Sequence, residues 1–195
     1  MKTAVFLATG FEEIEALTVV DLLRRAQISC DMVSIEDELT VSGSHGIKTT
    51  ADMLLSEVAF DEYDCMILPG GMPGTRNLEG NQYLMSKLDD FYRKNKLICA
   101  ICAAPTIFGH KGYLEGKAAV CYPGMEDELK GAFVPEEEVV KDGNIITSRG
   151  MGTAIVFAGE IIEAILSEHI GIDAREGKIE QVFDGAFPVA YRSGG

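Results

Sequence analysis

Leu97-Ile98-Cys99-Ala100-Ile101-Cys102-Ala103-Ala104-Pro105 decides how this chain is read. Leu97–Ile101 is a short, uninterrupted apolar run, which reads as a strand buried on both faces. Proline is at home in a first helical turn, so Pro105 opens a helix expected to run to about Lys111. Cys102 falls in the turn between them, the strand-to-helix elbow that exposes a nucleophile. A helix N-terminus beside it favours thiolate over thiol. An arbitrary cysteine is more often a small buried hydrophobe, but the position after the strand and the small neighbours Ala103 and Ala104 argue for access.

Working outward, the same β–α pattern recurs. Thr3–Ala8 is an apolar run stopped by Thr9-Gly10, and Glu12–Ala26 follows as a helix with Ala16, Val19, Val20 and Leu23 at helical spacing. Ser29–Ile35 and Cys65–Leu68 read as strands, the second closed by Pro69-Gly70-Gly71, and Gln82–Asn95 reads as a helix. Ala118–Val120 is a short apolar run, and Val139–Lys141 with Asn144–Thr147 around Asp142-Gly143 predicts a hairpin. Gly152–His169 is the longest helix, with Ile155, Ala158, Ile162, Ile165 and Leu166 on one stripe. Ala174–Val182 is expected as a last helix, and the tail from Tyr191 is expected to fray. All-apolar strands alternating with helices imply an α/β fold with a mostly parallel sheet covered on both faces. With no repeat and no linker, residues 1–195 are predicted to form a single domain.

Composition narrows the function classes. The 195 residues are 47% hydrophobic, and Lys+Arg 17 against Asp+Glu 31 leaves a net charge of −14. That charge repels phosphate backbones and anionic lipid, so neither nucleic acid nor membrane is expected as a partner. The longest N-terminal apolar run, Ala4–Ala8, is far short of a targeting or membrane-spanning segment, which places the expected location in the cytoplasm. Five cysteines without secretory context predict thiols rather than a disulfide framework. Cys99 and Cys102 form a C-x-x-C, but three extended residues span roughly 10 Å, beyond the roughly 7 Å reach of a disulfide.

In an open parallel sheet, ligands bind beyond the carboxyl ends of the strands. Three turns should meet there: Thr9-Gly10-Phe11-Glu12-Glu13-Ile14-Glu15, Pro69-Gly70-Gly71-Met72-Pro73-Gly74 and Cys102-Ala103-Ala104-Pro105. The amides of Gly70, Gly71 and Ala103 are candidates for an oxyanion hole. No G-x-G-x-x-G follows the first strand and no G-K-[ST] occurs, so no nucleotide cofactor is implied. Among the first-turn acids, Glu15 aligns with Val19, Leu22 and Ala26, where desolvation would raise its pKa, yet Glu12 shares a stripe with Ala16, Val19 and Leu23. Periodicity leaves that choice open. His110 lies roughly 12 Å along a helix from Cys102, too far to be its base. His45 lies in a polar Ser-Gly-Ser-His-Gly loop and His169 at a helix C-terminus. No H-x-E follows the elbow and no metal-ligand spacing is evident.

The segments Gly10–Glu15, Leu68-Pro69-Gly70-Gly71, Ala100–Thr106 and Thr147–Thr153 resemble, in order and nearly end to end, the DJ-1/ThiJ/PfpI superfamily, and its DJ-1 (ThiJ-like) branch more than the PfpI proteases. The resemblance implies a flavodoxin-like (Rossmann-like) three-layer sandwich and usually a homodimer with the site near the interface. It also implies that Cys102 is the nucleophile and oxidation-sensitive thiol, Glu15 the acid bonded to its sulfur, and Gly71 and Ala103 the oxyanion amides. Two departures stand out. Where the branch's namesake has a histidine before proline, this chain has Tyr122-Pro123, and where PfpI-type members have a histidine after the cysteine, it has Ala103. A Cys-His protease is therefore not expected. The expected activity is cofactor-free conversion of small reactive carbonyls, of the glyoxalase or deglycase kind, with Tyr122 and His45 as further candidates. The competing expectation is an oxidation-sensitive sensor or stress chaperone. Apolar residues of the first helix such as Val19 and Leu22 are candidates for the dimer contact.

Overall fold

The computed structural model describes residues 1–169; the helix expected at Ala174–Val182 and the tail from Tyr191 lie outside them. Strand β1 (Lys2–Leu7) is an interior strand of a seven-stranded sheet. On one side it pairs in parallel with β2 (Ser29–Ser34), and on the other with β6 (Cys65–Leu68), which pairs in parallel with β7 (Leu97–Ile101). β9 (Ile145–Ser148) continues the parallel set, and β8 (Val139–Asp142) closes that edge antiparallel to it, as the Asp142-Gly143 turn predicts. The short β5 (Met53–Leu54) caps the other edge.

The period-two side-chain alternation of a strand divides the core in two. Val5, Leu7, Ile67, Ile101 and Ile146 face α1 (Glu13–Arg25) and α5 (Ala154–His169). Ala4, Phe6, Met66, Leu68 and Ala100 face the other way, toward Leu84, Leu88 and Phe91 of α3 (Gln82–Arg93) and Ile107 and Phe108 of α4 (Pro105–His110). This is the three-layer, flavodoxin-like arrangement. Strand order reverses direction between β1 and β6, so the crevice beyond their carboxyl ends is the topological switch point.

The differences from the sequence reading are local. The Ala118–Val120 run joins no sheet and makes only an isolated bridge, Ala118 to Phe133. A hairpin of β3 (Thr40–Ser42) and β4 (Lys48–Thr50) and a one-turn-plus helix α2 (Gly74–Gly80) carry no apolar period that would announce them. Ile155, assigned to the buried stripe of α5, is exposed, whereas Ala158, Ile162, Ile165 and Leu166 are buried. No helix among the described residues is long and apolar enough to cross a membrane.

Candidate active site

Three loops converge at the switch point through backbone hydrogen bonds. The Glu12 amide donates to the Gly70 carbonyl at 2.9 Å, and the Gly74 amide donates to the Gly10 carbonyl at 3.1 Å. Cys102 is locked from two sides: its amide donates to Ser148 O at 3.0 Å, and its carbonyl accepts from the Tyr122 amide at 2.7 Å. Its φ of 65° is the left-handed conformation that non-glycine residues adopt only when the surroundings impose it. The elbow expected from the sequence is present. Cys102 is half-buried, while Cys30, Cys65, Cys99 and Cys121 are buried. The C-x-x-C makes no couple: Cys99 Sγ lies 3.7 Å from Cys65 Sγ on the neighbouring strand.

Glu15, 1% exposed, resolves the ambiguity among the first-turn acids. Its carboxyl hydrogen-bonds the Cys102 thiol, and its Oε2 accepts from the Gly70 amide at 2.9 Å. Burial pushes its pKa up to about 7, against the opposing pull of the thiol and the Gly70 amide, with the Glu12 charge adding to the rise. Glu12 is the helix cap, its carboxylate accepting the Glu15 amide at 2.7 Å. Glu13 does more than lend charge to the helix terminus. It is buried, and its carboxylate accepts the amides of His45 (2.8 Å) and Ile47 (3.3 Å) and the Ser44 hydroxyl (3.2 Å). It thereby holds the β3–β4 loop against α1.

Two further expectations are corrected. The Gly70 amide is engaged by Glu15 and so is not available to an oxyanion; Gly70 instead makes room, since a Cβ there would lie 2.6 Å from Cys102 Cβ and 2.7 Å from Glu15 Oε2. The Cys102 thiol is not lowered by a helix terminus. α4 starts three residues later and is six residues long, and a helix-end field fades within a turn. Burial first, then the charge and hydrogen bond of Glu15, push the thiol up to about 12. The amides of Ala103 and Gly71 pull the other way as donors to the sulfur. Cys30 and Cys121 are pushed equally high by burial. Cys102 differs from them in having access, two amide donors and a carboxyl that changes charge near neutrality.

Gly71 reaches the sulfur in a conformation with φ 91°, and a Cβ there would lie 2.4 Å from the Glu12 amide nitrogen. Tyr122 is 52% exposed, its ring beside Gly150 at the edge of Glu15. His45 is exposed, with Nδ1 3.1 Å from Glu13 Oε2. His110 lies between Glu79 (2.6 Å) and Glu128 (2.9 Å), which raise its pKa, Glu128 foremost. Both described imidazoles are thus committed to carboxylates other than Glu15. The sequence showed no metal-ligand spacing, yet the fold brings ligand atoms of Glu12, Glu13 and His45 within 4.8 Å of one another. The carboxylates in that group carry the cap and loop contacts just described. Gly150 is a site residue that sequence periodicity missed: it lies two positions past the end of β9, and its signals were that place beyond a strand and the Thr147–Thr153 segment that contains it.

A mostly parallel sheet covered on both faces, with a cysteine elbow at its switch point, places the protein among flavodoxin-like cysteine proteins. The family profile described as DJ-1/PfpI matches residues 1–164, and the chain belongs to that family. It is 36% identical over 189 residues to protein dj-1beta of Drosophila melanogaster, covering 96% of each chain. Identity is 33% over 178 residues to the Parkinson disease protein 7 homolog of Danio rerio, 89% of this chain and 94% of that one. With DJ-1 homolog B of Arabidopsis thaliana it is 37% identical over 174 residues, 88% of this chain but only 40% of that protein's length. Among solved structures, oxidized Toxoplasma gondii DJ-1 superposes with a TM-score of 0.86 at 34% identity, covering 95% of this chain and 97% of that one.

Proposed function

We propose that the protein is a cofactor-free cysteine enzyme that converts small 2-oxoaldehydes such as methylglyoxal, free or as thiol or amine adducts, into 2-hydroxy acids. The observation that supports it best is the pairing of an accessible elbow thiol with a buried carboxyl whose pKa is about 7. A group poised near neutrality is suited to move protons in both directions.

The steps follow from those residues. The thiol proton passes to the carboxyl, and the sulfur attacks the aldehyde carbon; the aldehyde oxygen takes up a proton, giving a hemithioacetal. The amides of Gly71 and Ala103, donors to the sulfur before attack, are freed as its charge passes into the new bond and turn to stabilise the developing oxyanion. Glu15 then removes the hydrogen from the former aldehyde carbon as a proton and returns it to the neighbouring carbon, while the hydroxyl proton on the first carbon passes to the oxygen of the second. The first carbon is oxidised to a thioester as the second is reduced to an alcohol, so no external redox partner is needed. Water cleaves the thioester, releasing the hydroxy acid and restoring the thiol.

The alternative is a stoichiometric redox sensor in which Cys102 is oxidised to sulfinate; the oxidized form of the Toxoplasma relative favours keeping it in view. The same chemistry suits the reducing cytoplasm, and a homodimer is the proposed assembly. A progress curve with methylglyoxal separates the two readings. Many equivalents of lactate per thiol are expected, whereas a single equivalent of modification would overturn the enzymatic one.

A further inference from the structure

Glu15 uses its two oxygens differently. Oε2 accepts the Gly70 amide, while Oε1 is turned toward Gly150: a Cβ built there would lie 3.9 Å from Oε1 and 3.5 Å from Cδ2 of the Tyr122 ring, with nothing nearer outside the adjacent residues. These are ordinary van der Waals distances, so the space over Gly150 is a hollow that admits a methyl-sized group. Its backbone floor is tied down. The Gly150 amide donates to Thr153 Oγ1 at 3.1 Å, the Thr153 hydroxyl meets Ser148 Oγ at 2.7 Å, and Ser148 O holds the Cys102 amide. The Tyr122 amide is bonded to the Cys102 carbonyl, so the backbone that carries the ring is tied to the same elbow. Gly150 itself needs no glycine conformation, because its φ of 161° is ordinary extended backbone. The missing side chain is therefore explained by the space it leaves and not by the backbone.

We infer that the hollow over Gly150, between the Tyr122 ring and Glu15 Oε1, receives the substituent beyond the aldehyde of a bound 2-oxoaldehyde, so that Gly150 and Tyr122 set the size of substrate accepted. This rests on the carbonyl reading above and specifies it. The Glu15 carboxyl meets the Cys102 thiol and, through Oε1, borders this space, so a substrate attached to Sγ sits on the other side of the same carboxyl. The hollow fits a methyl group; a larger substituent must displace the half-exposed Tyr122 ring.

The test compares glyoxal, methylglyoxal and phenylglyoxal in wild type, Gly150→Ala and Tyr122→Ala, alongside alkylation of Cys102 by iodoacetamide and its N-phenyl analogue. One methyl group in an apolar pocket is worth about tenfold or more in discrimination. Gly150→Ala is expected to lower kcat/KM for methylglyoxal relative to glyoxal by about that factor, and Tyr122→Ala to raise the relative rate with phenylglyoxal; the alkylation ratios should move in the same directions. Because extended backbone accepts alanine, Gly150→Ala is expected to fold, and Tyr122→Ala reads the opposite wall independently. Wild-type turnover with unchanged ratios in both variants would overturn the inference and leave the carbonyl reading standing. No wild-type turnover with any of the three would overturn the carbonyl reading, and with it the assignment of a substrate substituent to the hollow.

Discussion

Two glutamates two positions apart, both buried, end at opposite extremes: Glu13 near 2 and Glu15 near 7. Burial pushes both upward. Glu13 is brought down by its own backbone amide and by donors from His45 and Ile47, whereas Glu15, set deeper in the protein, has only the thiol and the Gly70 amide against its desolvation. For Glu15→Gln, the amide nitrogen can still donate to sulfur, but no proton can be taken up or released. Alkylation of Cys102 is therefore expected to stay within about tenfold of wild type, while lactate formation falls by roughly 10²–10⁴. Stopped assays of both quantities on one preparation check this, and a variant that retains turnover would move the acid–base role elsewhere. Cys102 was legible from its neighbours because an apolar run followed by a helix signal marks an elbow. Glu15 was not legible from periodicity, which gave Glu12 an equal claim; the selection is made by Gly70, whose absent Cβ admits the carboxyl from a loop 55 positions away.

At the scale of elements, the β3–β4 hairpin shows why sequence patterning lost part of the site's surroundings. Thr40–Ser42 and Lys48–Thr50 are too short and polar to show a strand period, and much of what holds their connecting loop comes from outside it, from Glu13 on α1. By contrast, β1, β6 and β7 were readable because strands buried on both faces are apolar without interruption. Glu13→Ala should detach the loop and cost about 1–3 kcal/mol, since it strips charge-assisted partners from buried amides. The pH dependence has a definite sign. The folded pKa, about 2, lies below the ordinary 4.5, so the stabilisation is complete above pH 4.5 and is lost as pH falls toward 2. Urea midpoints of wild type and variant should differ at pH 7, draw together below pH 4.5 and converge only as pH falls through about 2. A constant difference across that range would show that the loop is held by packing rather than by the carboxylate.

For the whole molecule, the open question is what covers its apolar surface. Val19 and Leu22, first considered for a dimer contact, are buried within the chain in the core that α1 shares with α5. Exposed apolar residues include Ile14 on α1, Ile47 in the loop held by Glu13, and Met151, Ile155 and Val156 where α5 begins. α1 packs against α5, which makes the side of the molecule carrying these elements the candidate contact face. A second copy applied to this face would bury it, and a chain of net charge −14 should associate more tightly as salt screens the repulsion between copies. Light scattering at micromolar concentration is expected to give twice the chain's mass for wild type. Ile14→Glu, which places an added anion on that face without entering the core, should yield the monomer, with the shift partly reversed by added salt. If Ile14→Glu stays dimeric while Phe133→Glu, a 70% exposed residue outside α1 and α5, becomes monomeric, the contact belongs to another face. A wild type that is monomeric at every salt concentration would leave the site open to solvent beside α1, and Cys102 should then be alkylated at a rate independent of protein concentration.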